Sequence, residues 1–280
     1  MSEKTLTIAG AGTIGSQIAF QAAMYQINVK IFDLDPAAAK KNIAAVSQMF
    51  QQALRLSDAE IAAGRKQVKI ITNDWQEAFK TDFVIEAISE NIAVKRAFYE
   101  KLSHYLDEKV IVASNSSTIM PSQLAGYIEH PERFLHMHFA NHIWHFNAAE
   151  IVGTEETKAE YKRAAVSLAK EMGMVPIQLN KENPGYIMNA LSIPLLNAAL
   201  KLWAKGVADP QTIDQEWKIS SGMPIGPFRS LDMIGLRTAY AIESKQSPKT
   251  PSTQLICDKL QEMIAAGKTG ELAGEGFYKY

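Results

Sequence analysis

A glycine-rich turn near the N-terminus limits the possible folds more than any other feature. Gly10, Gly12 and Gly15 form a G-x-G-x-x-G pattern between the β-branched run Thr5–Ala9 and the helical pattern Ile14–Met24. Between a strand and a helix, the first glycine permits a tight turn, the second lets a pyrophosphate approach backbone N–H groups, and the third allows close helix–strand packing. We interpret the pattern as a dinucleotide-binding fingerprint. Its predicted cofactor-binding residues are Gly10, Gly12, Thr13, Ile14 and Gly15.

An acidic residue ends the second predicted strand. Asp33 follows Val29–Phe32 and lies 18 residues after Gly15, and no arginine comes directly after it. A carboxylate at this position accepts hydrogen bonds from the ribose hydroxyls of NAD and repels the 2′-phosphate of NADP. The sequence therefore predicts NAD (NADH) as the cofactor, with Asp33 among its binding residues.

Short β-branched runs alternate with longer helical patterns over residues 1–180. Such alternation is typical of βαβ units around a parallel sheet, so we predict an α/β, doubly wound, Rossmann-type domain. Ser57 and Glu60 have capping-box spacing and predict a short helix for which Gly64 is the candidate C-cap. The predicted strands are Thr5–Ala9, Val29–Phe32, Gln67–Ile71, Phe83–Ala87, Val110–Ala113, Phe134–His138, Glu150–Val152 and Val175–Leu179, and Pro36–Leu54 is the clearest further helix.

The last hundred residues contain no strand-like runs. Asn183-Pro184-Gly185 precedes a long apolar stretch that runs to about Gly206, with Pro194 as a predicted kink. Proline at the first helical position predicts two further helix starts. These are Asp209-Pro210, and Thr250-Pro251 with Gly267 as the end of its helix. We predict an all-helical C-terminal domain over residues 181–280, packed directly on the domain of residues 1–180.

Charge, cysteine content and hydropathy exclude several classes of protein. Residues 1–180 carry 18 basic and 20 acidic side chains, and residues 181–280 carry 11 and 10. Neither part is basic, which argues against nucleic-acid binding by counterion release. The single Cys257 excludes a disulfide framework within the chain and fits a reducing compartment. Because no signal peptide and no apolar run of ~20 residues is present, we expect no membrane association and a cytoplasmic location.

Polar clusters follow three of the later predicted strands. They are residues 86–91, 114–118 and 136–141. Ligands of open α/β sheets bind beyond the carboxyl ends of the strands, so these clusters are candidates for catalysis. Oxidation of an alcohol needs a base with a pKa near 7, which suits His138, and the carboxylate of Glu150 is a plausible partner for its second ring nitrogen.

A metal site is the alternative for the histidines of this region. His136 and His138 point to the same face of the predicted strand, with His142 and His145 close behind. No cysteine or nearby carboxylate completes a ligand set, so we predict no metal. The other histidines are expected to line a pocket or to be solvated.

Several motifs in a fixed order extend over nearly the whole chain. They are the glycine fingerprint, Val84-Ile85-Glu86-Ala87 with Glu90-Asn91, Ser114-Asn115-Ser116-Ser117, His138-Phe139 with Asn141, Glu150, Asn183-Pro184-Gly185 with Asn189, Pro224-Ile225-Gly226-Pro227-Phe228, and Gly274-Glu275-Gly276-Phe277-Tyr278. Together they resemble the 3-hydroxyacyl-CoA dehydrogenase family, including the bacterial 3-hydroxybutyryl-CoA dehydrogenases. The resemblance implies interconversion of a 3-hydroxyacyl compound and its 3-oxo form, and a homodimer formed through the helical domain.

The resemblance also implies a role for individual residues. His138 matches the catalytic base and Glu150 the carboxylate paired with it. Ser117 matches the serine that hydrogen-bonds the substrate oxygen, and Asn189 matches an asparagine that helps to hold the substrate carbonyl and His138. Three further positions match residues near the NAD ribose and nicotinamide, and they are Glu90, Lys95 and Asn141.

Two departures from the family pattern concern the substrate. The stretch expected to bind the CoA nucleotide, residues 44–56, contains Gln48, Gln51 and Gln52 and one basic residue, Arg55. Phosphates favour lysine and arginine, so this composition argues against tight CoA binding. The run Phe139-Ala140-Asn141-His142 resembles the diketoreductase branch, which acts on free dicarbonyl compounds.

Three hypotheses therefore stay open at the level of sequence. The first is an NAD-dependent 3-hydroxyacyl-CoA dehydrogenase, and the second is a diketoreductase-like reductase of non-CoA β-diketo acids or esters. The third is a non-catalytic NAD-binding protein, against which the complete set of catalytic residues argues. For Trp144 and Phe146, lining of an acyl or aryl pocket and simple packing are equally expected.

Overall fold

The computed structural model describes residues 4–246 and 250–280. The chain divides into two compact units, the first ending at Ile187 and the second comprising Met188–Tyr280. The domain boundary expected at 180/181 lies a few residues before this division.

The first unit contains an eight-stranded sheet in the order β3-β2-β1-β4-β5-β6-β7-β8. Its strands are β1 (Thr5–Ala9), β2 (Asn28–Phe32), β3 (Val68–Ile71), β4 (Phe83–Glu86), β5 (Ile111–Ser114), β6 (Phe134–Phe139), β7 (Ala148–Gly153) and β8 (Val175–Gln178). The chain winds outward from β1 in both directions, which produces the doubly wound Rossmann-type arrangement expected from the sequence. The carboxyl ends of β1 and β4 therefore lie at the point where the strand order reverses.

Seven α-helices of this unit cover the two faces of the sheet within the described residues. They are α1 (Thr13–Met24), α2 (Pro36–Leu54), α3 (Asp58–Lys66), α4 (Trp75–Ala78), α5 (Ile92–Ser103), α6 (Pro121–Leu124) and α7 (Ala159–Glu171). Alternate strand residues point to opposite faces, so Leu6 and Ile8 pack with α1, α2 and α7. On the other face, Val84 and Val112 pack with residues of α4 and α5.

One pair of strands departs from the parallel arrangement expected from the sequence. Strands β6 and β7 pair antiparallel, with Leu135 opposite Gly153 and His138 opposite Glu150. Only the eight residues 140–147 connect the two strands. A parallel crossover needs about a dozen residues or more, so this connection can only reverse the chain direction.

The capping box at Ser57 is confirmed, but the assignment of Gly64 as a C-cap is wrong. The Ser57 side chain accepts from the Glu60 N–H, and the Glu60 carboxylate accepts in return from the Ser57 N–H. Helix α3 continues to Lys66, so Gly64 lies inside it. A Cβ at Gly64 would lie 2.6 Å from the Met24 sulfur, so α3 packs closely on α1 at this position.

The second unit is helical. Its described α-helices are α8 (Met188–Ala204), α9 (Pro210–Ser221), α10 (Pro227–Ile234), α11 (Leu236–Ser244) and α12 (Pro251–Ala265). Residues 247–249, between α11 and α12, lie outside the described part of the chain. The predicted N-caps of α9 and α12, Asp209 and Thr250, both accept a backbone N–H. Phe228, Leu200 and Ile256 are central to the apolar core of this unit. No helix in the described ranges is long and apolar enough to cross a membrane.

Helix α8 begins later than the sequence indicates. Asn183-Pro184-Gly185 does not open the helix, because Gly185 and Tyr186 both have positive φ angles, 77° and 56°. These left-handed residues form a separate turn before Met188. Pro194 lies inside α8, as predicted.

Candidate active site

The glycine turn between β1 and α1 leaves no space for larger side chains at two positions. Gly10 has φ +98°, and a Cβ there would lie 2.7 Å from the Ala87 carbonyl oxygen. A Cβ on Gly15 would lie 2.0 Å from the Gly10 carbonyl oxygen. At Gly12, by contrast, a Cβ would have no neighbour within 4 Å. The turn is therefore closed on the protein side and open above Gly12, where a phosphate needs to approach the backbone.

Helix α1 begins at this turn without a side-chain cap. Gly12 is its N-cap residue, and no acidic side chain lies in its first turn, which contains Thr13 and Ile14. The first N–H groups of a helix have no partner within the helix, and the helix dipole favours an anion beside them. This end of α1 can therefore bind a phosphate group.

Asp33 lies directly beyond β2, beside the glycine turn. Its Oδ2 accepts from the Ala11 N–H at 2.6 Å, and its Oδ1 accepts from the Asp35 N–H at 2.8 Å. The Ala11 carbonyl accepts from Asn42 and Ser16. Hydrogen bonds within the protein thus hold the turn. The open space at Gly12, the uncapped helix and the half-buried carboxylate together fit NAD.

His138 and Glu150 form a pair across the antiparallel strands β6 and β7. They lie directly opposite each other in the register, so their side chains share one face of the sheet. The His138 Nδ1 lies 2.9 Å from the Glu150 Oε2, and the two residues are only 7% and 6% exposed. A carboxylate at this nitrogen favours the tautomer with a proton on Nδ1, which leaves the Nε2 lone pair available.

Ser117 lies on the other side of the imidazole. Its Oγ is 3.2 Å from the His138 Nε2. Glu90 holds the loop of Ser117, because its Oε1 accepts from the backbone N–H groups of Ser117 and Thr118 and from the hydroxyls of Ser116 and Thr118. Burial raises the pKa of Glu90, but these hydrogen bonds outweigh it and the pKa is lowered.

Lys95 is buried in a charged cluster beside this loop. Its ammonium pairs with the Glu86 Oε1 at 2.5 Å and with the Glu90 Oε2 at 3.4 Å, and the residue is 1% exposed. Tyr99 and Ser114 donate their hydroxyls to the second oxygen of Glu86. The Lys95 ammonium therefore helps to hold the Glu90 carboxylate in place. A direct contact between Lys95 and NAD stays a prediction.

The remaining two predicted site residues lie in different units. Asn141 is exposed in the loop after β6, and this loop is held where the His142 and Ile143 N–H groups donate to the Gln17 Oε1. Asn189 lies in the first turn of α8, in the second unit. Its role at the substrate carbonyl stays a prediction.

Two residues of the site were missed or misread in the sequence. Tyr186 stacks on the His138 ring, with ring centroids 4.4 Å apart and planes within 3°. His136, expected to line a pocket or to be solvated, is fully buried and pairs through Nδ1 with the Tyr186 hydroxyl at 2.8 Å. The pattern His136-x-His138 indicated a shared face, but nothing in the sequence pointed to Tyr186. Among the described residues, no three potential ligands are grouped to hold a metal ion.

The structure shows different surroundings for Trp144 and Phe146, the two aromatic residues considered for an acyl or aryl pocket. Trp144 is half-buried and packs against Phe50 of α2, with ring centroids 4.7 Å apart. Phe146 is 46% exposed. Trp144 is therefore part of the packing between its loop and α2, and Phe146 is accessible to a ligand.

Comparisons with known proteins identify the family. The NAD binding domain of 3-hydroxyacyl-CoA dehydrogenase matches residues 5–183, and the C-terminal domain matches residues 185–280. A probable 3-hydroxybutyryl-CoA dehydrogenase of Bacillus subtilis is 31% identical over 283 residues, covering 100% of this chain and 98% of the relative.

Two solved structures are similar over the full chain. A diketoreductase, solved in work on substrate-directed dual catalysis of dicarbonyl compounds, has a TM-score of 0.93 and 40% identity, with 100% of both chains covered. An (S)-3-hydroxybutyryl-CoA dehydrogenase from Ralstonia eutropha has a TM-score of 0.83 and 32% identity, with 100% of this chain and 99% of the other covered. The predictions of the Rossmann-type fold with a helical C-terminal domain, of NAD and of an oxidoreductase acting on a CH–OH group are confirmed. The chain belongs to the 3-hydroxyacyl-CoA dehydrogenase family.

Proposed function

We propose that His138 is the general acid and base in the interconversion of a 3-hydroxyacyl compound and its 3-oxo form. The observation that carries the proposal is the continuous contact from Ser117 through His138 to Glu150, at 3.2 Å and 2.9 Å. A base held by a carboxylate, with its free nitrogen beside a hydroxyl, is the arrangement needed to move a proton to or from a substrate oxygen.

In the direction of oxidation, the His138 Nε2 takes the proton of the substrate hydroxyl. The bound NAD supplies the chemistry of hydride acceptance, and NADH that of hydride donation in the reverse direction. Glu150 stabilises the positive charge that develops on the imidazole, and in reduction the protonated His138 returns the proton to the oxygen. Ser117 and Asn189 orient the substrate oxygen in this proposal.

The cofactor would be held by Gly10, Gly12, Thr13, Ile14 and Gly15 at its pyrophosphate and by Asp33 at the adenosine ribose. We place Glu90, Lys95 and Asn141 near the ribose and nicotinamide end. The contacts of Glu90 with the Ser117 loop support this assignment, because a group near the nicotinamide has to lie close to the catalytic histidine.

A non-CoA substrate is the second candidate, and a specific feature of α2 favours it. The exposed side chains Gln48 and Gln52 are neutral, so this surface offers few cations to the phosphates of CoA. The likeness to the diketoreductase, a protein described with dicarbonyl compounds, supports the same candidate. The likeness to 3-hydroxybutyryl-CoA dehydrogenases supports a CoA ester.

We also propose a homodimer in the cytoplasm. Large apolar side chains of the second unit support self-association, since Leu191, Ile219 and Leu272 are 69%, 72% and 89% exposed. The single cysteine, Cys257, is buried and fits a reducing compartment.

The experiment that tests the proposed function is NADH oxidation with matched 3-oxo compounds. Acetoacetyl-CoA and ethyl acetoacetate share the reacting group and differ in the CoA portion, and we expect turnover of at least one, with the free ester preferred. A strong preference for acetoacetyl-CoA would refute the second candidate. Binding of NADH without turnover of either compound would support a non-catalytic NAD-binding protein and contradict the proposal.

A further inference from the structure

Tyr186 makes two different contacts with the catalytic region. Its ring stacks on the His138 imidazole at 4.4 Å, nearly parallel. Its hydroxyl lies 2.5 Å from the Ser116 carbonyl oxygen and 2.8 Å from the His136 Nδ1. Ser116 immediately precedes Ser117 in the chain, so one side chain touches both the base and the peptide that carries the substrate-binding serine.

The distances fix the direction of each hydrogen bond. Two oxygen atoms 2.5 Å apart share a proton, and a carbonyl has none to give, so the Tyr186 hydroxyl donates to Ser116. The same hydroxyl has only its lone pairs left for His136. His136 Nδ1 therefore carries the proton and donates it to Tyr186.

The state of His136 is consistent with this direction. The pKa of His136 is lowered to about 3, mainly by burial and also by the nearby ammonium of Lys95, against the carboxylate of Glu90. The imidazole is therefore neutral and holds a single proton. Its Nε2 has no hydrogen-bond partner among the described residues, which agrees with a proton on Nδ1.

The residue after Tyr186 contacts the third member of the site. The Ile187 N–H donates to the Glu150 Oε1 at 2.8 Å. The turn that presents both residues is held by Asn183, whose side-chain amide donates to the Tyr186 carbonyl at 3.0 Å. Tyr186 thus contacts His138 and the backbone beside Ser117, and Ile187 contacts Glu150.

We propose that Tyr186 is a positioning residue for the catalytic histidine. Its ring fixes the plane of the His138 imidazole, and its hydroxyl, held by the Nδ1–H of His136, fixes the Ser116 carbonyl. Together these contacts keep the Ser117 Oγ within hydrogen-bond distance of the His138 Nε2. The kinetic consequence rests on the proposed function, whereas the hydrogen-bond pattern does not.

The first test does not depend on enzymatic activity. Nitrogen-15 NMR of the histidine-labelled protein at pH 7 reports which ring nitrogen of each histidine carries a proton. The signals that disappear in His136→Gln are those of His136. We expect them to report a proton on Nδ1 and none on Nε2. A proton on Nε2 of His136 in the wild-type protein would overturn the proposal.

The second test separates positioning from stability. Tyr186→Phe keeps the stacked ring and removes the hydroxyl, and we expect kcat to fall about tenfold, since misplacement of reacting groups by about 1 Å can cost roughly 10²-fold. Tyr186→Leu also removes the ring, and we expect a fall of about 10²-fold. In both variants the Kd for NADH stays that of the wild type.

The matched control is Tyr278→Phe, which removes a tyrosine hydroxyl that donates to Asp214 at 2.9 Å in the second unit. It loses a comparable hydrogen bond and is expected to retain wild-type kcat. Wild-type kcat in both Tyr186 variants would overturn the positioning role. An inactive wild-type protein with the expected His136 tautomer would instead refute the proposed reaction and leave the hydrogen-bond assignment intact.

Discussion

His138 and Glu150 lie opposite each other in the one antiparallel pair of the described sheet, with 2.9 Å between Nδ1 and Oε2. The short connection after β6 reverses the chain and brings the carboxylate back beside the base, twelve positions later in the sequence. Two rigid strands, rather than flexible loops, therefore set the distance between base and carboxylate.

Replacement of Glu150 tests whether its charge matters to the reaction. Glu150→Gln retains an oxygen for the Ile187 N–H but can present an amide donor to the His138 Nδ1, which favours the wrong tautomer. We expect kcat to fall by up to about 10⁴-fold, as for the carboxylate of a serine protease triad. Steady-state kinetics check this, with the exposed Glu160→Gln as the control. Equal kcat in the two variants would contradict the role of Glu150.

Cofactor preference depends on Asp33 in this account. Asp33→Ser removes the negative charge that opposes a 2′-phosphate and also removes the acceptor of the Ala11 N–H. Hydrogen bonds to charged groups contribute about 1.5–3 kcal/mol, so NADH binding should weaken about 10- to 100-fold while NADPH binding improves. Fluorescence titration measures both, with Asp258→Asn on the exposed surface of the second unit as the control. An unchanged NADH to NADPH ratio of affinities would contradict the assignment.

The buried His136 predicts a pH dependence of stability. Its pKa is lowered from 6.5 to about 3, mainly by burial, so below pH 6.5 the unfolded chain takes up a proton there and the folded protein does not. The free energy of unfolding should then decrease with falling pH, with a contribution from His136 of about 1.4 kcal/mol per pH unit towards pH 3. Urea unfolding at several pH values should show a shallower dependence for His136→Phe and the wild-type dependence for His130→Gln. The same slope in all three proteins would refute this explanation.

The buried cluster around Lys95 predicts a large effect on stability. Lys95→Met leaves the fully buried Glu86 carboxylate without its cation. Removal of one partner of a buried ion pair is strongly destabilising, so we expect the free energy of unfolding to fall by about 3–5 kcal/mol. Denaturant unfolding measures the loss. Arg96→Met, at the next position but in an exposed pair with Glu100, should change stability little. If Lys95→Met weakened NADH binding without any loss of stability, Lys95 would act only on the cofactor.

Much of the first unit is predictable because its local signals are strong. All eight strands correspond to predicted runs, and every run except that of β6 contains β-branched residues. Pro36 and Ser57 mark helix starts through backbone chemistry that acts over a few residues. The antiparallel pairing of β7 was not predicted, although the eight residues that precede it are too few for a crossover. The length of that connection is the feature of the sequence that indicates a reversal of the chain.

The site was only partly predictable from the sequence. His138 and Glu150 stand out because a histidine at a strand end and a nearby carboxylate have an obvious chemical use. Tyr186 could not be found this way, since it contacts His136 across 50 positions and lies at a positive φ that sequence rules assign to glycine or asparagine. Its importance arises from tertiary contacts alone.

The most direct test of the central claim is the turnover of His138→Ala with NADH and a 3-oxo substrate accepted by the wild type. General acid–base catalysis contributes about 10²–10⁴-fold, so we expect kcat to fall by at least about 10²-fold while the Kd for NADH is unchanged. Turnover near that of the wild type would contradict the assignment of His138 as the acid and base.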